Sequence, residues 1–125
     1  MEPWQTHLPP AIDRSQLQES SAGDRAFEQE LLHLFVADTQ QHLKRLKTAI
    51  ATQDFDIAQR EAHHMKGASA HVGAVTMYAI ATAVEVQMRQ HMMDQSLPLL
   101  NQLEMAYQAV IDQTEQWDQD LTSLS

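Results

Sequence analysis

The sequence predicts an all-α fold: an antiparallel up-down-up-down four-helix bundle with a short extra helix at its N-terminal side. Composition is the first reason. Of 125 residues, 43% are hydrophobic, only three are glycine and four proline, and alanine, leucine, glutamine and methionine are plentiful, so helix propensity is high along the chain. The second reason is periodicity, because apolar residues recur at steps of three and four in four long segments joined by short connections. A chain of this length supports one core and is too short for two ordinary domains.

Residues 1–11 hold three of the four prolines and little periodicity, which reads as a tail or linker; nothing requires Trp4 to dock. The bundle domain is expected over 12–122, with 123–125 as a C-terminal tail. Ile12 to Ser20 forms a short helix with Asp13 near its start. Ser20, Ser21, Ala22 and Gly23 make a turn, and Asp24 is the N-cap of the next helix. There, Leu32, Val36, Thr39, Leu43, Leu46 and Ile50 trace a helical seam for a bundle core. After a break at Thr52 to Asp54, with Asp54 as N-cap, Phe55, Ala58, Ala62, Met65, Ser69 and Val72 repeat the spacing, and Gly73 stops the helix. A further helix is predicted from Val75 to Met93, with Met77, Ala81, Val84 and Met88 inward. The last runs from Ser96 to Leu121, with Leu99, Leu103, Ala106, Val110 and Trp117 inward. Of the methionines, Met65, Met77, Met88, Met92, Met93 and Met105 are read mainly as core filling rather than as a pliable binding surface.

The net charge of −9 argues against nucleic acid as a partner, since phosphate backbones need a basic surface. Charge is also uneven. Lys44, Arg45, Lys47, Arg60 and Lys66 outnumber Asp54, Asp56 and Glu61 between positions 42 and 66, whereas Glu104 to Asp120 holds five acids and no base. Solvated helix faces explain either cluster, and so does a weakly basic face toward an acidic or phosphorylated partner. No apolar run approaches the roughly 20 residues that span a bilayer, and MEPWQTHLPP lacks the pattern of a signal peptide. A soluble, cytoplasmic protein is expected. The absence of cysteine excludes disulfides, thiolate zinc sites and cysteine nucleophiles.

Chemistry concentrates in EAHHMKGASAHVGA, Glu61 to Ala74. The core stripe passes through Ala62 and Met65 and leaves His63 to one side. On a helix, His63 neighbours Gln59 and Arg60 on the preceding turn and Lys66 and Gly67 on the following one, and Ala70 continues that face. Glycine inside a helix costs about 1 kcal/mol relative to alanine. Its use here is to leave the imidazole exposed to a closely approaching surface. Lys66 places a positive charge where an anion attached to the imidazole would sit, which suits a nucleophile that carries a phosphoryl group. Counting out from the turn at Gly73, an antiparallel neighbour brings Thr82 to Glu85 level with His63. Two readings are open for the face formed by Tyr78, Thr82, Glu85 and Arg89: a second layer that orients the imidazole or its anion, or a plain solvated face with a Glu85–Arg89 ion pair.

The run A-H-H-M-K-G-A-S followed by V-G-A, together with LLHLFVADTQQHLKRLKTAI before it, resembles the histidine-containing phosphotransfer (HPt) domains of phosphorelays. Their hallmark is a histidine, two residues of which the second is apolar, then lysine and glycine. The resemblance spans about Ile12 to Leu121. It implies His63 as phosphoacceptor, with Lys66 and Gly67 beside it, and Gln59, Arg60, His64 and Ala70 as docking residues; Thr82, Glu85 and Arg89 stand as a possible second layer. This sequence has alanine at 68 where serine is common and histidine at 64 where a small polar residue is common. By the same resemblance the protein is a phosphocarrier between receiver domains of response regulators or hybrid histidine kinases, and an exposed histidine face that serves a transient partner leans toward a monomer. It has no kinase activity on ATP, and the magnesium belongs to the receiver. No glycine-rich nucleotide loop is present in the sequence.

No cofactor or metal site is expected. His64 and His71 are two turns apart, whereas metal sites prefer i,i+3 or i,i+4 pairs with a carboxylate nearby; Glu61, three residues before His64, is the nearest approach to one. The competing function class is a phosphotransfer-inactive helical-bundle interaction module that binds a partner without chemistry.

Overall fold

The computed structural model describes residues 11–124, with side-chain surroundings through residue 123. Five α-helices follow one another: α1 Arg14–Ser21, α2 Arg25–Ala51, α3 Phe55–Val72, α4 Val75–Arg89 and α5 Ser96–Leu124. There is no strand among the described residues. The segment expected to be a tail, with Trp4, lies outside them except for Ala11, which is half-buried against the core.

Aspartates start three of the helices. The side chains of Asp13, Asp24 and Asp54 accept hydrogen bonds from the backbone N–H groups of Ser15, Phe27 and Ile57. Each satisfies one donor that the first helical turn leaves open, an effect of about 1 kcal/mol. Asp13 lies outside α1 as its N-cap, so that helix begins at Arg14 rather than Ile12.

The ends are less visible in the sequence. Gln53 and His91, neither of them glycine, adopt left-handed backbone (φ 56° for both), and the chain closes over each in a Schellman pattern. Asp54 N–H reaches back to Ala49 O at 2.8 Å, and Met92 N–H to Gln87 O at 2.9 Å. The predicted continuation of α4 to Met93 is therefore wrong; it stops at Arg89, and His91 stacks on Phe55 with ring centroids 4.6 Å apart. In the other direction, α5 runs to Leu124, past the predicted stop at Leu121.

Helices α2 to α5 form a closed ring in which each packs on the next and α2 meets α5, while α1 lies across α2 and α3. Leu32, Leu46, Met65, Met77, Val84 and Leu103 are fully buried, each side chain contributing roughly 1.5–3 kcal/mol through removal of apolar surface from water. Three expected core positions shift. Phe35 fills the core where Val36 was expected, Leu100 is buried more deeply than Leu99, and Trp117 is half-buried beneath the Arg14 guanidinium, 4.7 Å from its ring centroid. Met92 and Met105 are exposed. No described helix is long and apolar enough to cross a membrane.

The α3–α4 turn sets the height of α4 against α3. Gly73 caps α3 in the left-handed region (φ 77°), its carbonyl accepts from Asp13 N–H at 2.7 Å, and a Cβ there would collide with the Asp13 carbonyl oxygen. Only glycine satisfies both the dihedral and the close approach. Gly73→Ala is expected to destabilise the domain by about 1–3 kcal/mol, seen as a lower urea midpoint; an unchanged midpoint would show that α1 can move aside without loss.

Candidate functional site

His63 stands in the middle of α3, held outward because its neighbours Ala62 and Met65 are fully buried. Its side chain is 71% exposed. Across the Gly73 turn, α4 runs back beside α3 with Val84 and Met88 in the core, which sets Glu85 between them at 3% exposure. One carboxylate oxygen of Glu85 lies 2.6 Å from His63 Nδ1. The other accepts from Lys66 Nζ at 2.8 Å and from Arg89 at 3.0 Å.

The expected Glu85–Arg89 pair thus exists, but the face is not a plain solvated one: its acid is buried. A buried carboxylate is strongly disfavoured unless it is paired and hydrogen-bonded. Here the hydrogen bond from Lys66, opposed by burial and assisted by His63, holds the Glu85 carboxyl below its ordinary 4.5. Glu85 is therefore ionised at neutral pH and can only accept. His63 must donate through Nδ1, which in the neutral imidazole leaves the lone pair on Nε2. That nitrogen has no partner among the described residues.

Beside the imidazole lies an open cavity of about 440 Å³ lined by Asp56, Gln59, Arg60, His63, Glu85 and Arg89. Gln59 and Arg60 thus share a surface with His63. Asp56 was not singled out from the sequence, although it lies one turn before Arg60.

Gly67 is exposed, has no left-handed backbone, and a Cβ built on it meets nothing within 4 Å. Neither packing nor dihedral within the chain calls for glycine there. Ala70, exposed on the same side, lines a smaller hollow with Gly73 and Tyr78.

The remaining expected residues lie elsewhere. The Thr82 hydroxyl donates to Tyr78 O of its own helix at 2.7 Å and makes no hydrogen bond to His63. His64 turns toward α2, where its Nε2 is 2.9 Å from Asp38 and its ring stacks on His42. His71 sits near α1, where Ser20 donates to its carbonyl at 2.7 Å. The Asp38 and His42 surroundings of His64 were missed because they belong to a helix 22 residues or more upstream; the only local signal was their own i,i+4 spacing.

The lowered Glu85 pKa carries a sign. A carboxyl with a depressed folded-state pKa stabilises the fold above its unfolded pKa, and that contribution is lost as pH falls through the folded value. Wild-type stability is expected to decline below about pH 4.5, and Glu85→Gln to flatten that part of the profile, as measured by urea midpoints across pH. Parallel profiles would remove Glu85 from the acid sensitivity.

No curated protein matches the chain. Among solved structures, it is similar to histidine-containing phosphotransfer protein B from Pseudomonas aeruginosa PAO1, at 25% identity and TM-score 0.83 over 90% of this chain and 98% of that one. It is also similar in fold to the HPT domain of the Hpt sensor hybrid histidine kinase from Shewanella, at 19% identity and TM-score 0.68 over 85% of this chain and 95% of that one. The Hpt domain family matches residues 30–113, which include His63, Lys66 and Glu85. With more than half of its length matched, the chain belongs to the Hpt domain family.

Proposed function

We propose that His63 is the phosphoacceptor of a phosphorelay carrier that takes a phosphoryl group from the aspartyl phosphate of one receiver domain and passes it to another. The observation that carries this reading is the fixed imidazole: Nδ1 is held 2.6 Å from a buried, ionised carboxylate while the ring stays largely exposed.

In the forward step the Nε2 lone pair attacks phosphorus, the bond from phosphorus to the aspartyl oxygen breaks, and the aspartate leaves as carboxylate. The Nδ1 proton stays in place. The ring gains positive charge, and Glu85 offsets it, as an acid behind a catalytic histidine does. Reversal of the same bonds onto a second receiver regenerates neutral His63. Lys66 and Arg89 together outweigh the single negative charge of Glu85, so the site favours the incoming phosphoryl oxygens. Magnesium and most of the charge stabilisation come from the receiver, and the carrier supplies position and exposure.

Gly67 fits this reading because the chain itself has no use for it. A glycine that costs about 1 kcal/mol of helix stability, with open space where its side chain would be, is explained by a surface from another molecule. Arg60 and Gln59 on the preceding turns, with Ala70 beyond, extend the same docking face.

Two predictions test the proposal. Incubation with a phosphorylated receiver domain should place an acid-labile, base-stable label on His63, mapped by mass spectrometry. His63→Gln should abolish it with the helical signal and Tm nearly unchanged. Equal labelling of that variant, at His64 for instance, would refute the assignment, and no label across a panel of receivers would favour the chemically silent interaction module. Gly67→Ala should raise stability by about 0.5–1 kcal/mol, whereas Gly67→Leu should fold and transfer poorly. Normal transfer by folded Gly67→Leu would end the docking role of this position.

A further inference from the structure

On the other flank of α3, facing α2, Asp38, His42 and His64 converge. Asp38 and His42 lie one turn apart on α2, and His64 comes from α3. His42 Nε2 is 3.4 Å from one Asp38 oxygen and His64 Nε2 is 2.9 Å from the other. One ligand atom from each of the three residues falls within 4.8 Å of the other two. We propose that these three side chains form a binding site for a divalent transition-metal ion of the zinc class, bridging α2 and α3.

The distances are within reach of such an ion. With bonds of about 2.0–2.1 Å, ligand atoms of a tetrahedral zinc stand roughly 3.3 Å apart; the three here lie within 4.8 Å of one another, so side-chain rotation alone can close the set. Three protein ligands and an open fourth position for water is a common zinc arrangement. A single carboxylate with two imidazoles is a poor set for magnesium or calcium, which take oxygen ligands.

A second observation lies behind the ligands. His42 Nδ1 is 2.5 Å from Glu61 Oε2, and both side chains are largely buried. A carboxylate on the far nitrogen of a ligating histidine fixes the ring and leaves Nε2 as the donor atom. The two imidazoles stack with centroids 3.7 Å apart, so sharing one ion requires the exposed His64 ring to turn out of the stack and bring its Nε2 lone pair onto the point that His42 faces. His64 and Asp38 are about half-exposed, which gives an ion access from solvent.

The sequence-based expectation of no metal considered Glu61, His64 and His71 on one helix. In the folded chain Glu61 supports a ligand from behind, His71 lines a hollow with Asp38 but is not one of the converging residues, and the missing partners come from α2. His63 is not a ligand, so the site stands independently of phosphotransfer.

Zinc binding to the untagged, full-length protein, followed by competition with a chromophoric chelator, tests the proposal. One saturable zinc ion per chain is expected, with a raised Tm because the ion binds only the folded arrangement, and magnesium should not displace it. His64→Gln and His42→Ala should each weaken binding at least about tenfold, and Glu61→Gln by about 10- to 100-fold. His33→Ala, His71→Ala and His63→Gln should leave it unchanged. Circular dichroism establishes that each variant is folded, and the exposed position of His64 makes His64→Gln the safest of them. Absence of saturable binding by the wild type, or undiminished binding by folded His64→Gln, would overturn the proposal.

Discussion

The ionised carboxylate of Glu85, buried between α3 and α4, is the constraint on which the His63 face depends. Removing a carboxylate from water costs several kcal/mol unless good geometry and hydrogen bonds compensate. Three partners compensate here, His63 on one oxygen and Lys66 and Arg89 on the other. Two of those partners come from α3, so the carboxylate is satisfied only while the two helices keep their spacing and relative rotation. That spacing is set from inside. Ala58, Ala62 and Ala81 are fully buried, and small side chains let helix backbones approach closely.

One consequence is a histidine both exposed and oriented. Exposed side chains ordinarily sample several rotamers, but the Glu85 contact selects one ring position and one tautomer. Lys66 then has a double part. Its hydrogen bond, and to a lesser degree its charge, lowers the Glu85 pKa, which keeps the acid an acceptor and so fixes the His63 proton on Nδ1. Positive charge is left over for an incoming anion.

The two glycines of the motif differ in what holds them. Gly73 is needed by the fold itself, through its positive φ and the approach of the Asp13 backbone. Gly67 meets no such requirement, and it is this lack that leaves it open to the proposed docking role. On one short stretch of chain, a glycine that the fold requires follows closely on one that it does not.

Much of the architecture was legible from local chemistry. The aspartate caps at Asp24 and Asp54, the three-four seams of α2 and α3 and the stop at Gly73 marked the element order, because capping and amphipathic burial act within a few residues. The level of Glu85 with His63 followed from counting out of one tight turn. The remaining features depend on partners distant in sequence. The end of α4 rests on His91 stacking against Phe55, a contact with no glycine to signal it. Phe35 replaces Val36 in the core because α2 packs against α1, α3 and α5, and no single straight seam serves all three. Burial of Glu85 was equally invisible, since its neighbours Thr82 and Arg89 suggest a solvated face until α3 covers it. The convergence of Asp38 and His42 with His64 arises only when α2 packs against α3. Periodicity gives each helix its inward side, but which polar residues meet across two helices is fixed by their relative height and rotation.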